Sequence, residues 1–180
     1  MLAYCAAQSK DGAGPEVPWA RTLTFGIPTA RSEAVEEKAV KAKVKWIDEV
    51  NFAVETGSGH AVLVDGAPDA GGKNLGPRPM ELVLAGTVAC TAFDVVWILR
   101  KARQPIAECV VEADAERAAE DPKVFTRIHF TYRVSGEGLK PAQVERAVRL
   151  SKEKYCSATL MLAKTAEISY EIAIESKPAS

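Results

Sequence analysis

The sequence predicts an α+β fold, and three observations carry that prediction. Short alternating segments come first, as a group, between residues 41 and 64. A long apolar stretch over 79–102 follows, set off by Pro79 and Pro105. Two long alternating segments, two helical segments and a last alternating segment then complete the chain. Strands and helices arrive in groups rather than in strict alternation, which separates α+β from a doubly wound α/β arrangement.

Residues 1–40 are expected to be a flexible N-terminal extension by composition: Gly and Pro are scattered through it and no period of 2 or 3.6 is sustained. Clear patterning begins at Lys41, so the folded domain is expected over 41–176. If Val40 is read as an alternative initiation codon, the product begins there, and residues 1–39 become an upstream extension of the functional core.

Val44 and Trp46, then Phe52 and Val54, alternate with polar residues as half-buried strands do, with a turn over 48–51 between them. Gly57-Ser-Gly59 makes a second turn and Ala61-Val-Leu-Val64 a third strand, giving a meander. A Gly- and Pro-rich loop spans 66–78. Pro79 suits the first position of a helix and Glu81 suits its positive end. The 79–102 segment is apolar almost all round, so it is expected to be buried on most sides. It ends in Arg100-Lys101-Ala-Arg103, cations that favour a helix C-terminus.

Residues 108–116 and 124–134 read as two long strands; Ile128, Phe130, Tyr132 and Val134 alternate cleanly. Pro141 opens a second helix, with Val144, Ala147, Val148 and Tyr155 spaced for one buried face. Ser157 suits the start of a short third helix over 158–164. Ile168, Tyr170, Ile172 and Ile174 alternate as a last strand.

Composition narrows the function. The 180 residues carry a net charge of −1 and are 47% hydrophobic, which gives no electrostatic reason to expect nucleic acid or a membrane surface as partner. No apolar run is expected to reach membrane-spanning length, and the N-terminus lacks the charged-then-apolar order of a secretory signal. The expected compartment is the cytoplasm, where a working cysteine pair is more often catalytic than structural. Four cysteines and two histidines show no CxxC or HxxxH spacing, so neither a metal nor another cofactor is expected.

The candidate chemistry lies in two thiols on helical segments. Cys90 sits within the apolar helix and Cys156 in Lys152-Glu-Lys-Tyr-Cys-Ser. Asp94, one turn after Cys90, opposes a thiolate there if unpaired. Lys152, one turn before Cys156, and the helix start just after it favour a thiolate at Cys156. Phe93 and Trp97 fall at helical spacing from Cys90, as core packing or as the apolar wall of a substrate pocket. Cys109 reads as a small core residue, Cys5 as idle, and His60 and His129 as surface residues.

Taken together, Lys41-Ala-Lys-Val-Lys-Trp, Gly76-Pro-Arg-Pro-Met-Glu-Leu-Val-Leu-Ala, Cys90 with Asp94-Val-Val, and Glu153-Lys-Tyr-Cys-Ser resemble the OsmC/Ohr family, in its small OsmC-like branch, over about 41–175. The resemblance implies two sheets around central helices in an intertwined homodimer. It implies reduction of organic hydroperoxides, with Cys90 as the attacking cysteine, Cys156 as the resolving one, Glu81 as a supporting glutamate, and an external thiol or dithiol as reductant. The family's supporting arginine has no match, because 41–72 contains no arginine; Arg78, in the following loop, is the nearby alternative. The second reading is a non-enzymatic dimer binding a small apolar or acyl ligand, with the cysteines as sensors or packing.

Overall fold

The computed structural model describes residues 39–176. The expected extension, with Cys5, lies outside the described residues apart from its last two positions. The described chain forms β1 (Ala42–Asp48), β2 (Asn51–Thr56), β3 (Ala61–Val64), α1 (Pro79–Lys101), β4 (Glu108–Arg117), β5 (Phe125–Ser135), α2 (Pro141–Leu150), α3 (Ser157–Leu162) and β6 (Glu167–Glu175). A short 3₁₀ turn, Pro68–Ala70, interrupts the loop before α1, and a π-helical turn, Ser151–Tyr155, lies between α2 and α3. The α+β class follows directly from this order.

The described residues form two three-stranded sheets. One is the meander β1-β2-β3; the other has the order β4-β5-β6. β4 and β5 are antiparallel, pairing Ala113 with Phe130 and Ala115 with Ile128. β6 joins β5 in parallel, with Ile168 beside Ile128 and Ile172 beside Tyr132. A parallel neighbour needs a crossover, and α2, the π-helical turn and α3 supply it.

The core lies between the second sheet and the helices. Ile128, Phe130, Tyr132 and Val134 from β5 meet Val95 and Leu99 from α1 and Val144, Ala147 and Val148 from α2. These are the alternating and helical positions that the sequence pattern marks. No residue of β1, β2 or β3 joins this cluster; Ala53 and Val64 are buried outside it.

Two expectations fail in the same direction. α1 buries Thr87, Thr91, Asp94, Val95 and Leu99 on one face, while Val83, Phe93 and Trp97 on the other are 43%, 48% and 38% exposed. β1 is exposed throughout, Val44 and Trp46 included. Apolar residues alone say only that a face needs covering; the described chain covers one side of α1. A third correction concerns length: at 23 residues α1 is long and apolar enough to cross a membrane by size and composition, although no such run was expected. Its buried polar face, bonded within the fold as described below, is that of a packed core helix.

The loop into α1 is held from inside. Asp65 is buried; its carboxylate accepts the backbone N–H groups of Gly66 at 2.7 Å, Lys73 at 2.9 Å and Leu75 at 3.0 Å. Gly76 passes so close to β3 that a Cβ there would stand 2.3 Å from the Leu63 carbonyl oxygen. The Leu75 N–H above all, with those of Gly66, Lys73 and Asn74, holds the Asp65 carboxyl below its usual range against the opposing effect of burial. A depressed folded-state pKa stabilises the fold above the unfolded pKa of about 3.9 and loses that effect as pH falls through the folded value. Asp65→Ala is therefore expected to lower the thermal midpoint at pH 7, with the gap from wild type shrinking below pH 4. Thermal unfolding followed by circular dichroism across pH 3–7 checks this.

Candidate dithiol site

The π-helical turn shapes the site. The Cys156 N–H donates to the Ser151 carbonyl, five residues back, at 2.9 Å, the bond that defines a π turn. The wider turn breaks the α-helical phase expected to run through Tyr155. Tyr155, expected on the buried face, is consequently 39% exposed, while Ser151 and Cys156 are both 0% exposed.

α1 presents Cys90 and Asp94 on one face toward this turn. The sulfurs of Cys90 and Cys156 and a carboxylate oxygen of Asp94 all lie within 4.8 Å of one another. Cys90 is half-buried and Cys156 fully buried, so an incoming molecule meets Cys90 first. Cys156 is the N-cap of α3; its sulfur accepts the Thr159 N–H at 3.4 Å and the Thr159 hydroxyl at 3.1 Å. Its own S–H lies 4.0 Å from the Thr87 carbonyl.

A chain of buried hydroxyls runs behind the sulfurs. Ser151 donates to Asp94 Oδ2 at 3.1 Å. Thr91 is 2.9 Å from Ser151 Oγ and 2.7 Å from the Tyr132 hydroxyl. Each hydroxyl has one proton. With the Ser151 proton committed to Asp94, Thr91 donates to Ser151 and Tyr132 donates to Thr91. The relay points one way, from β5 to the carboxylate beside the thiols. Burial pushes the Asp94 carboxyl above its usual range, with the Ser151 bond partly opposing. Burial also pushes Tyr132 up to about 12.

The electrostatics reverse one expectation. Burial raises Cys156 to about 11, outweighing its two bonds from Thr159. Lys152, expected to favour a thiolate there, turns instead toward the second sheet: its Nζ donates to the Ile168 carbonyl at 3.1 Å and lies 4.6 Å from the Tyr170 ring centre. Cys156 is thus a protonated thiol at neutral pH.

The other candidates lie elsewhere. Glu81 is exposed, and its Oε2 accepts the Arg78 N–H at 2.9 Å, closing the start of α1; nine residues of helical rise put it about 13 Å along the axis from Cys90. Arg78 is the exposed N-cap residue of α1. Phe93 and Trp97 stack on each other with ring centres 6.1 Å apart on the exposed face, with Lys101 over Trp97; they do not wall a pocket within the described chain. Cys109 packs half-buried against the core, and burial raises it to about 11. His129 bonds Ser169 at 2.8 Å and His60 bonds Ser58 at 3.1 Å. The sequence reading missed Thr87, Thr91, Ser151, Tyr132 and Thr159. The available signal was Thr87, Thr91 and Asp94 at positions i, i+4 and i+7 in an otherwise apolar helix, a polar stripe on one face.

The family model described as OsmC-like protein matches residues 71–171, which takes in both cysteines and the hydroxyl relay. The chain belongs to the OsmC-like protein family. It is 47% identical to Protein YhfA of Escherichia coli K12 over 135 residues, 74% of this chain and 98% of that one. Among solved structures, this OsmC-like chain matches a hypothetical protein from Aquifex aeolicus VF5 at 28% identity and a TM-score of 0.65, covering 77% and 98% of the two chains. It also matches an organic hydroperoxide resistance protein OsmC from Legionella pneumophila at a TM-score of 0.58, covering 75% and 96%; at 18% identity that likeness shows the fold alone.

The site predicts a pH-dependent order of alkylation. In reduced protein treated with iodoacetamide at pH 7.5, Cys90 is expected to be modified while Cys156 stays intact. Cys156 is expected to become reactive only as pH approaches 11 or on unfolding. Peptide mass spectrometry of the alkylated protein reads both positions.

Proposed function

We propose that this OsmC-like protein reduces organic hydroperoxides through Cys90 and Cys156. The observation that supports this most is the placing of an accessible thiol and a buried thiol within 4.8 Å, close enough for small side-chain rotations to join them. In the proposed cycle the Cys90 thiolate attacks the outer peroxide oxygen, the O–O bond breaks, and the alkoxide leaves as the alcohol after taking a proton. Cys90 becomes a sulfenic acid. The Cys156 thiol then condenses with it, releasing water and forming a disulfide. An external thiol or dithiol takes up the oxidising equivalents and restores both thiols.

The residues fit separate roles. Cys156, held as a thiol by burial, does not compete for the peroxide and suits the resolving step. Asp94, beside both sulfurs and held toward its protonated form, suits delivery of a proton to the leaving alkoxide. Ser151, Thr91 and Tyr132 position it. Glu81 keeps its helix-capping role at the start of α1.

The exposed apolar surfaces support assembly as a homodimer. Burying one large apolar side chain contributes roughly 1.5–3 kcal/mol; Trp46, Val44, Val83, Phe93 and Trp97 are all exposed here. A second chain laid along α1 and receiving the meander would cover them. The second reading, a dimer binding a small apolar or acyl ligand, draws on the absence of arginine between residues 41 and 72.

With cumene hydroperoxide and a dithiol reductant, wild type is expected to consume peroxide and to pass through a Cys90–Cys156 disulfide. Cys90→Ser is expected to lose consumption by at least 100-fold, and Cys156→Ser to stop after one turnover with a sulfenic acid at Cys90. Unchanged consumption in Cys90→Ser would remove Cys90 from the reaction and leave the ligand-binding reading. Multi-angle light scattering is expected to give twice the chain mass; replacing Phe93 and Trp97 together with Glu should shift it toward the monomer.

A further inference from the structure

We propose that the reduced site is also a metal site, in which Cys90, Cys156 and Asp94 bind one soft divalent cation such as zinc. Spacing along the chain argued against a metal because it seeks ligands in one segment. The fold draws them from two: Cys90 and Asp94, four residues apart on α1, and Cys156 at the head of α3.

The geometry comes close to a three-ligand site. The three donor atoms lie within 4.8 Å of one another. Two thiolates bound tetrahedrally to zinc at about 2.3 Å each stand about 3.8 Å apart, and a carboxylate oxygen binds at about 2.0–2.2 Å. Side-chain rotations of about 1 Å close that gap without moving either helix. Two sulfurs and one oxygen select zinc or cadmium over magnesium or calcium, which prefer all-oxygen sites. Three protein ligands leave a fourth position for water or a small ligand.

Two of the ligands already have a second layer of hydrogen bonds. Thr159 donates twice to the Cys156 sulfur. Ser151 donates to Asp94 Oδ2 and is itself held by Thr91 and Tyr132. Such partners orient ligands and tune their affinity. Charge also balances sensibly: each thiol releases its proton as the cation enters. Formation of the Cys90–Cys156 disulfide removes two of the three donors, so metal binding and the disulfide exclude each other. Metal would silence the thiols; peroxide, as two-electron oxidant, would release the metal as it forms the disulfide. The proposal uses the sulfurs of the redox reading but does not require peroxide turnover.

The test is titration of phosphine-reduced, metal-free protein with cobalt(II), read by the thiolate-to-cobalt charge-transfer band and the d–d bands of a tetrahedral site. Wild type is expected to bind one equivalent per chain, reversed by zinc. Cys90→Ser and Cys156→Ser should each roughly halve the charge-transfer intensity and weaken binding at least tenfold. Asp94→Asn should keep the sulfur band but weaken binding about tenfold. Cys109→Ser and Cys5→Ser should match wild type, and diamide-oxidised protein should bind none. Absence of the charge-transfer band in reduced wild type, or a wild-type band in Cys90→Ser, would overturn the proposal. Peroxide consumption by the same metal-free protein is measured separately, so a failed peroxidase and a failed metal site are distinguishable.

Discussion

The contact between α1 and the π-helical turn after α2 sets the geometry on which the rest depends. One wide turn puts Ser151 and Cys156 inward, where four polar side chains, Thr91 and Asp94 of α1, Tyr132 of β5 and Ser151 of the turn, satisfy one another. A buried hydroxyl or carboxylate without a partner costs about 1–3 kcal/mol, so each member of the group holds the others in place. Removing Ser151 would strand Asp94 and leave Thr91 with Tyr132 alone. The two thiols are carried on the two sides of this contact, so their spacing is fixed by the network behind them rather than by any direct bond between them.

The same contact separates the chemical characters of the cysteines. Both lie near one carboxyl group, yet Cys156 is sealed among helices and Cys90 stands at the edge of α1's covered face. Burial acts on the sealed sulfur and holds its proton. Accessibility is left to the other. The proposed division of labour between an attacking and a resolving thiol therefore needs no special residue at either position; a difference in depth is enough.

How far the sequence was legible follows from where each pattern has its partners. The alternation of Ile128, Phe130, Tyr132 and Val134 and the spacing of Val144, Ala147 and Val148 are answered within the chain, and those elements lie where the pattern puts them. The apolar outer face of α1 and the alternation in β1 are not answered by described residues, so a pattern that marks a need for burial was misread as burial achieved. The direction of Lys152 was not legible, because one extra residue in the turn changes where every later side chain points. Cys90 and Cys156 were legible as a pair from their helical settings and their motifs; the hydroxyls that position them come from three elements distant in sequence, and no single window contains them. Asp94 was legible as a neighbour of Cys90 but not as the end of a relay.

The capping role of Cys156 couples oxidation state to backbone order. Its sulfur is the side-chain acceptor at the head of α3, where serine, threonine, asparagine or aspartate is more usual. A sulfur engaged in a disulfide, turned toward α1, is a poorer acceptor for the Thr159 N–H than the free thiol. In the proposed cycle, each passage between reduced and oxidised forms would loosen and restore the first turn of α3, a six-residue helix whose Leu160 and Met161 face outward. Amide exchange at Thr159 would then follow the electron count of the site. A surface more than one helical turn from the proposed chemistry would then carry a record of whether the thiols are free or joined.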